Sequence, residues 1–450
     1  MIFERRKALN FLKGDVKKLY LTMLLSSIGS TLVTNIYSTV DCIAIGHYAG
    51  PVGSAAISCL NPLWPLMLVF GVITGMGGAV MMNTQRGAEN ERDANEFFTL
   101  SMLISLIAAS VIGITFLLFM EPLLSFFGAQ GEVLSFALEY AKPIAVVSPS
   151  FTLCMTASCF VRNDGEAFLP TVATISGGIF NIFGDIFFVF DFGLGLGAFG
   201  AGLATALGQL ISFFMIVSYF LQKKCKLKFT KITKIPSRIL SIASVGASGG
   251  ITELSFFATT VVFNKAIVEN LGETHLAVYG VASTFFVLVC CFFYSTGSAA
   301  QPIISANYGA GYSTRVKKTL KVSLITASTL GLIFFAFSEI FPTLILEMYM
   351  DTTPEALEIG PGIIRIYSSA MLFVGISVVS AYYLQARLLR ISSSIISALR
   401  GVVLPIVFAF IIPIVSDYSA IWWAIPLAEL ITAIASITFL IKASLRGCRI

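Results

Sequence analysis

Residues 301–311 read QPIISANYGAG and lie at the end of a long apolar run. A related stretch ends an earlier apolar run in the first half of the chain. At a shift of 222 residues, the Gly309-Ala310 pair falls on Gly87-Ala88. Hydrophobic runs and basic loops coincide at the same shift. A repeat of this kind in a strongly apolar chain predicts a protein built from two similar halves.

The composition predicts an integral membrane protein. Of the 450 residues, 56% are hydrophobic and only 12% are charged, whereas about a quarter of a soluble domain is charged. Apolar runs long enough to cross a bilayer, roughly 20 residues each, follow one another from end to end. We therefore expect an all-α protein with twelve transmembrane helices, at about residues 16–46, 53–83, 97–120, 133–160, 168–190, 198–221, 239–268, 276–306, 319–341, 356–384, 393–416 and 419–442.

The placement of charge predicts the orientation of these helices. Most of the 29 Lys and Arg residues lie in alternate connections and in the terminal segments, while the intervening loops carry acidic residues. Insertion keeps the basic side in the cytoplasm, so we expect both termini there. The expected location is the bacterial inner membrane. We expect the protein to contact the lipid bilayer and not to bind nucleic acid.

A lysine-rich stretch at residues 222–237 divides the chain. It separates a half of six spans at 1–221 from a second half of six spans at 238–450. Because each half makes an even number of crossings, both enter the membrane in the same orientation. We expect two six-helix bundles related by a pseudo-two-fold axis along the membrane normal.

Three stretches carry a resemblance to a known family. They are the run at 301–311, the run GLGAFGAGLAT at 195–205 and the run AIWWAIPLAE at 420–429. At these positions in a duplicated chain, the sequence resembles the multidrug and toxic compound extrusion (MATE) family over essentially its whole length. The resemblance implies an efflux antiporter driven by H⁺ or Na⁺ entry, with no other cofactor.

Independently of the family, acidic residues inside a membrane are costly and are candidates for function. Asp41 lies in the first span, and Asn181 and Asp185 lie one turn apart on the fifth. Thr205 follows a glycine-rich entry to the sixth, which allows close helix approach. Together these oxygens could hold Na⁺, or carry a proton, because burial and a like-charged neighbour favour a protonated carboxyl group. The alternative is that they only hydrogen-bond the helices together.

The resemblance implies the same site. In one branch of MATE-like transporters, a cation site combines an Asp of the first span, an Asn-x-x-x-Asp pair of the fifth and a Thr of the sixth. The residues that match this pattern, and that would be the Na⁺ ligands, are Asp41, Asn181, Asp185 and Thr205.

A second cation site is predicted to be incomplete. Another branch of the family pairs a Glu of the seventh span with an Asp of the tenth. Glu253 corresponds to the former, but the tenth span offers Arg365 and no Asp. Some relatives also bend the first span at a proline, and this chain has none between Tyr20 and His47.

The expected substrates are flat organic cations, held by apolar contact and by cation–π attraction. Core or lipid packing is the competing interpretation for the aromatic and Met residues among them. The predicted substrate-binding residues are Tyr37, Asp41, Met155, Glu253 and Phe256. A further expectation is that Arg400, deep in an apolar run, neutralises Glu429.

Secondary transport is preferred over other functions. No Gly-x-x-x-x-Gly-Lys-Ser/Thr loop supports an ATP-driven pump, and two histidines at outer span ends do not make an enzyme's catalytic cluster. A flippase or exporter of a lipid-linked or other amphiphilic metabolite is the alternative, but acidic residues on the side expected to form the central cavity suit cationic cargo better. We expect a monomeric antiporter that works by alternating access.

The repeat itself is asymmetric in its chemistry. At a shift of 222 residues Asp41 corresponds to Phe263, and, with one extra residue allowed later in the repeat, Asp185 corresponds to Phe408. The predicted ion site is therefore confined to the N-terminal half.

Overall fold

The structure is a computed structural model, and it describes residues 9–350 and 352–445, without the side chains of Phe256 and Phe257. Within these residues the chain is helical and contains no strand. Residues 1–8, 351 and 446–450, which include charged residues used to predict the orientation, lie outside the described residues.

The described residues of the first half form six α-helices. Gly50 interrupts the first of them with φ 56° and ψ −133°, a left-handed conformation that glycine adopts readily. Pro51 follows and starts the next helical segment, where a proline fits. The helices are α1 (Val16–Leu60), α2 (Leu63–Gly87), α3 (Glu91–Phe126), α4 (Gly131–Asn163), α5 (Phe168–Val189) and α6 (Gly197–Val217).

The described residues of the second half form nine α-helices, some of which share a span. A single π-helical turn at Leu399–Val403 joins α13 to α14, and a 3₁₀ turn at Tyr418–Trp423 precedes α15. The helices are α7 (Ile235–Leu271), α8 (Glu273–Gly309), α9 (Ser313–Ile340), α10 (Pro342–Tyr349), α11 (Pro354–Ser368), α12 (Met371–Ala386), α13 (Arg390–Ala398), α14 (Leu404–Val415) and α15 (Ala424–Leu445).

These helices account for twelve membrane crossings. Eleven continuous segments of the described residues are long and apolar enough to span, and the first, Val16–Gly87, has 72 residues. An unbroken helix of that length would extend roughly 108 Å, against a hydrocarbon core of about 30 Å. The break at Gly50 divides it into two crossings, and the predicted fold class of twelve helices in two bundles is confirmed.

Large apolar side chains face outward along these segments. Leu118 is 68% exposed, Phe214 is 63% exposed and Leu332 is 60% exposed. Apolar exposure on this scale is unfavourable in water and favourable against lipid. The protein is therefore a multi-pass membrane protein.

The described residues divide into two compact units, each with its own hydrophobic core. The first unit takes in residues 9–14 and Leu25–Gly246, and the second takes in Asp15–Leu24 and residues 247–445. Each unit thus includes the first helical turns that the sequence assigns to the other half. The domain boundaries at 221 and 238 stay a prediction from composition.

The lysine-rich stretch at 222–237 is ordered against the first unit. Its backbone amides at Lys228, Thr230 and Thr233 donate to side chains of α3, at N–O distances of 3.0, 3.0 and 2.8 Å. The acceptors are Asn95, Thr99 and Glu96, which share one face of that helix. We call this segment the linker strap.

Candidate functional site

The candidate site is built from α1, α4, α5 and α6, all in the first unit. Glycines allow α5 and α6 to pack closely. A Cβ added at Gly208 would lie 2.6 Å from the Gly177 carbonyl oxygen, and one added at Gly184 would lie 2.7 Å from the Ala204 Cβ. Small residues at such contacts are the usual means of close helix approach in membranes.

This approach brings the predicted residues of the two helices together. The Asn181 side-chain amide donates to the Thr205 hydroxyl at 3.0 Å. Asn181 and Asp185 are both buried, and their spacing of four residues places them on one face of α5. The pairing of Asn181 with Thr205 agrees with the predicted grouping of these side chains.

Contacts between α1 and α5 place Asp41 beside this pair. Near one end of the contact, the Thr171 hydroxyl donates to the Ser26 carbonyl oxygen at 2.8 Å. Further along, the Tyr37 ring covers Gly178, where an added Cβ would lie 2.8 Å from the ring. The Asp41 carboxylate then lies close enough to Asp185 for the two charges to interact.

Tyr140 on α4 completes the site and was not predicted from the sequence. Its hydroxyl donates to Asp41 Oδ2 at 2.7 Å and lies beside the Thr205 hydroxyl. Gly202 on α6 packs directly on the Tyr140 backbone, since an added Cβ would collide with the Tyr140 carbonyl group. A buried tyrosine needs a partner for its hydroxyl, which is the only signal that the sequence offered.

The site has more buried acceptors than donors. Four carboxylate and amide oxygens have no hydrogen-bond partner among the described residues: Asp41 Oδ1, Asn181 Oδ1, Asp185 Oδ1 and Asp185 Oδ2. Leaving such atoms buried and unpaired is costly. Hard cations prefer oxygen ligands of these kinds, and a proton would also satisfy a carboxylate. This set of oxygens therefore fits either Na⁺ or H⁺.

The remaining predicted substrate residues are less clustered. Tyr37 interacts electrostatically with Asp41, whereas Met155 on α4 packs against Gly71 of α2 and is half-buried. Glu253 is half-buried on α7 in the second unit. The side chain of Phe256 lies outside the described residues.

Two expectations for the second half concern Arg400 and Arg365. The Arg400 Nε contacts Glu429 Oε1 at 2.6 Å, as expected for a neutralising partner. Arg365 lies 3.7 Å from the Glu339 carboxylate, and both side chains are exposed. In this structure Arg365 is thus engaged at the protein surface.

A family model described as MatE matches the chain twice, at residues 27–187 and 250–411. The chain belongs to the MatE family. The two matches begin 223 residues apart, in agreement with the repeat that the sequence indicated. Asp41, Asn181 and Asp185 of the MatE chain lie inside the first match, and Thr205 follows its end.

Curated relatives of this MatE protein are bacterial. The multidrug export protein MepA of Staphylococcus haemolyticus (strain JCSC1435) is 23% identical over 440 residues, which cover 97% of this chain and 95% of the relative. MepA of Staphylococcus aureus (strain NCTC 8325 / PS 47) is 22% identical over 431 residues, covering 95% and 94%.

Solved structures share the MatE fold. One is described as the outward-facing conformation of a multidrug resistance MATE family transporter of the MOP superfamily; it has a TM-score of 0.89 and 21% identity, covering 96% of this chain and 97% of that chain. A MOP superfamily transporter from Pyrococcus furiosus, described as having a binding pocket of reverse polarity, has a TM-score of 0.87 and 21% identity, covering 96% and 98%. At these identities the likeness establishes the fold.

Proposed function

We propose that this MatE protein is a secondary active multidrug exporter, which expels organic cations in exchange for H⁺ or Na⁺. Membership of the MatE family and the names of the MepA relatives support export of small molecules from a bacterial cell. They favour a transporter over an enzyme. The one observation that carries the ion coupling is the set of four buried oxygens around Asp41 and Asp185 that have no partner within the part of the chain that the structure describes.

The coupling follows from the charge of this site. Two interacting carboxylates in an apolar phase resist being ionised together, so the site gains stability when it takes up a cation. In the proposed cycle, the ion binds to Asp41 and Asp185 from outside and weakens the hold on the organic cargo, which is released. The ion then leaves to the cytoplasm and new cargo binds, as linkage between the two ligands requires.

The acidic character of the site supports cationic cargo. Asp41 and Asp185 are ionisable groups within apolar helices, and Tyr37 adds an aromatic face near Asp41. We place the protein in the cell membrane as a monomer, with both termini in the cytoplasm, because the basic residues predict that side.

Export from proteoliposomes tests the proposal. Ethidium efflux is measured under an imposed pH gradient and, separately, an imposed Na⁺ gradient, and the gradient that drives efflux identifies the coupling ion. We expect Asp41→Asn and Asp185→Asn to abolish gradient-driven efflux, while Glu132→Gln, an exposed acid in the first turn of α4, retains it. Undiminished efflux by both Asn variants would rule out the site.

A further inference from the structure

The second unit holds a buried ion pair that the proposed coupling site does not use. Arg400 lies in the π-helical turn, a local irregularity that is common at functional sites. Its Nε contacts Glu429 Oε1 at 2.6 Å, and its Nη1 donates to the Tyr294 hydroxyl at 2.9 Å. The guanidinium carbon also lies 5.3 Å from the Tyr294 ring centroid. Buried ion pairs add little net stability, so stability alone does not explain this one.

The pair is only half satisfied. Glu429 Oε2 is buried and makes no hydrogen bond of good geometry within the described residues, although the Ser377 hydroxyl lies beside the carboxyl group. The hydroxyls of Ser380 and Ser436 are fully buried and equally lack a partner there. We call Ser377, Ser380 and Ser436 the hydroxyl strip.

Other buried hydroxyls of this unit behave differently. The Thr432 hydroxyl donates to the Ala428 carbonyl at 2.7 Å, and that of Ser338 donates to the Phe334 carbonyl at 2.9 Å. This local bond within the helix is the ordinary solution for Ser and Thr in an apolar environment. A buried hydroxyl that does not use it requires another partner, and water is the usual one.

The hydroxyl strip leads away from Glu429 in one direction. Helices α12 and α15 pack side by side, and Ser436 lies two turns beyond Glu429, about 10 Å along the helix. Ser380 follows Ser377 by one turn toward the same end. At that end Arg387 Nη1 donates to the Ala443 carbonyl at 2.8 Å, next to Lys442. In the orientation proposed above, this is the cytoplasmic end.

We infer that Glu429 is a second proton-accepting group of the transporter, reached from the Lys442 end by water bound along the hydroxyl strip. A hydronium ion gives its proton to Oε2 and remains as water, and the reverse step returns the proton to the strip. The neutral carboxyl group then loses the charged part of its interaction with Arg400, whose Nη1 stays bonded to Tyr294. The ionisable groups that face Glu429 are Arg400, Tyr294, Cys290 and Tyr367.

Infrared difference spectroscopy on the purified full chain in lipid tests the inference. Spectra at low and high pH report the carbonyl stretch of carboxyl groups that gain a proton. We expect Glu429→Gln to lose one such band that persists in the Asp41→Asn/Asp185→Asn variant. The double variant Arg400→Gln/Glu429→Gln, which removes both charges together, should remain folded and should also lack the band.

The outcomes are decisive in both directions. Difference spectra of Glu429→Gln that match those of the parent chain would overturn the inference. A band that disappears with Glu429 supports it even if Asp41→Asn and Asp185→Asn leave export intact, so this site and the proposed coupling site can fail separately.

The route is tested by removing two hydroxyls. We expect Ser380→Ala/Ser436→Ala to slow the appearance of the Glu429 band after a pH jump severalfold. The melting temperature should change little, because neither hydroxyl has a hydrogen-bond partner among the described protein residues. Ser338→Ala, which removes a hydroxyl bonded within its own helix, is the control. A jump response equal to that of the parent chain would rule out the hydroxyl strip as the route.

Discussion

Tyr140 makes the two carboxylates of the candidate coupling site unequal. Its hydroxyl bonds one oxygen of Asp41, at 2.7 Å, whereas neither oxygen of Asp185 has a partner among the described residues. A hydrogen bond to a charged group stabilises that charge. The hydrogen bond therefore holds Asp41 in one orientation and partly compensates its negative charge. Asp185 has no such bond among the described residues, so its charge depends more on a bound cation.

Replacing Tyr140 by Phe should tighten ion binding. The ring volume is kept, but Asp41 loses a charge-assisted hydrogen bond worth about 1.5–3 kcal/mol, so its apparent ion affinity should rise by about tenfold or more. Efflux would then reach half its maximum at a lower concentration of coupling ion, with a lower maximal rate because the ion leaves slowly. Tyr279→Phe, a buried tyrosine of the second unit, is the control. An unchanged ion dependence would contradict the assigned role.

The sequence predicted four residues of this site and missed Tyr140. Asp41, Asn181, Asp185 and Thr205 are polar groups in apolar runs, and such residues are conspicuous whatever the rotation of their helices. Tyr140 is one of 14 tyrosines. Because a tyrosine ring packs readily among apolar side chains, its presence in an apolar run does not mark it as a site residue. Only the angle at which α4 faces α1 and α6 brings its hydroxyl to Asp41, and no local pattern encodes that angle.

At the level of elements, the spacing of α4, α5 and α6 depends on positions that lack a side chain. Gly202 meets the backbone of Tyr140, and Gly177 meets that of Gly208. These contacts fix the distance between Tyr140, Thr205 and Asn181. A side chain at either contact would have to separate the helices, and the oxygens of the site with them.

Gly202→Val should therefore disturb both stability and transport. Forcing extra carbon atoms into a packed contact costs about 1–3 kcal/mol, so the midpoint of thermal unfolding in detergent should fall and gradient-driven efflux should be lost. Gly280→Val is the matched control, because an added Cβ at Gly280 on α8 meets nothing within 4 Å. Equal behaviour of the two variants would show that the contact at Gly202 does not position the site.

The elements themselves were predictable to different degrees. The twelve crossings follow from hydrophobicity, and the break at Gly50-Pro51 lies between the first two predicted spans. The π-helical turn at Leu399–Val403 and the interruption between α11 and α12 were not predicted. In a helix that is apolar on all sides, hydrophobic periodicity is weak. It therefore cannot reveal a local change in the backbone hydrogen-bond pattern, such as a π-helical turn.

At the scale of the whole molecule, the linker strap is more ordered than its lysine content suggested. Glu96 is buried on α3 and accepts hydrogen bonds from the Thr233 amide and hydroxyl. It also interacts with two arginines of different exposure. Arg238 is 8% exposed and lies 3.0 Å from the carboxylate, and Arg92 is 75% exposed and lies 3.3 Å away.

These two arginines allow a matched comparison. Arg238→Gln should lower the free energy of unfolding by about 3 kcal/mol, because it leaves a buried carboxylate with less compensation. Arg92→Gln should change it by less than about 0.5 kcal/mol, as is usual for an exposed pair. Denaturation of each purified variant in detergent gives the difference, and equal losses would show that the linker strap does not depend on the buried pair.

The repeat preserves the scaffold and not the ion site. Phe263, at the position that corresponds to Asp41, is fully buried and stacks on Tyr279 with ring centroids 5.8 Å apart. Phe408, which corresponds to Asp185, packs against the same core. The sequence offsets predicted this asymmetry, because phenylalanine supplies no carboxylate oxygen at either position.

The division into units has a consequence for ancestry. The second unit includes Asp15–Leu24 from the beginning of the chain, where Lys318 lies 3.5 Å from Asp15. The first unit includes the opening turns of α7, up to Gly246. An ancestral protein of one repeat with this division would have lacked one segment of its own bundle. Such an ancestor would have completed its bundle only by pairing with a second copy of itself, and joining two copies in one chain would supply both exchanged segments.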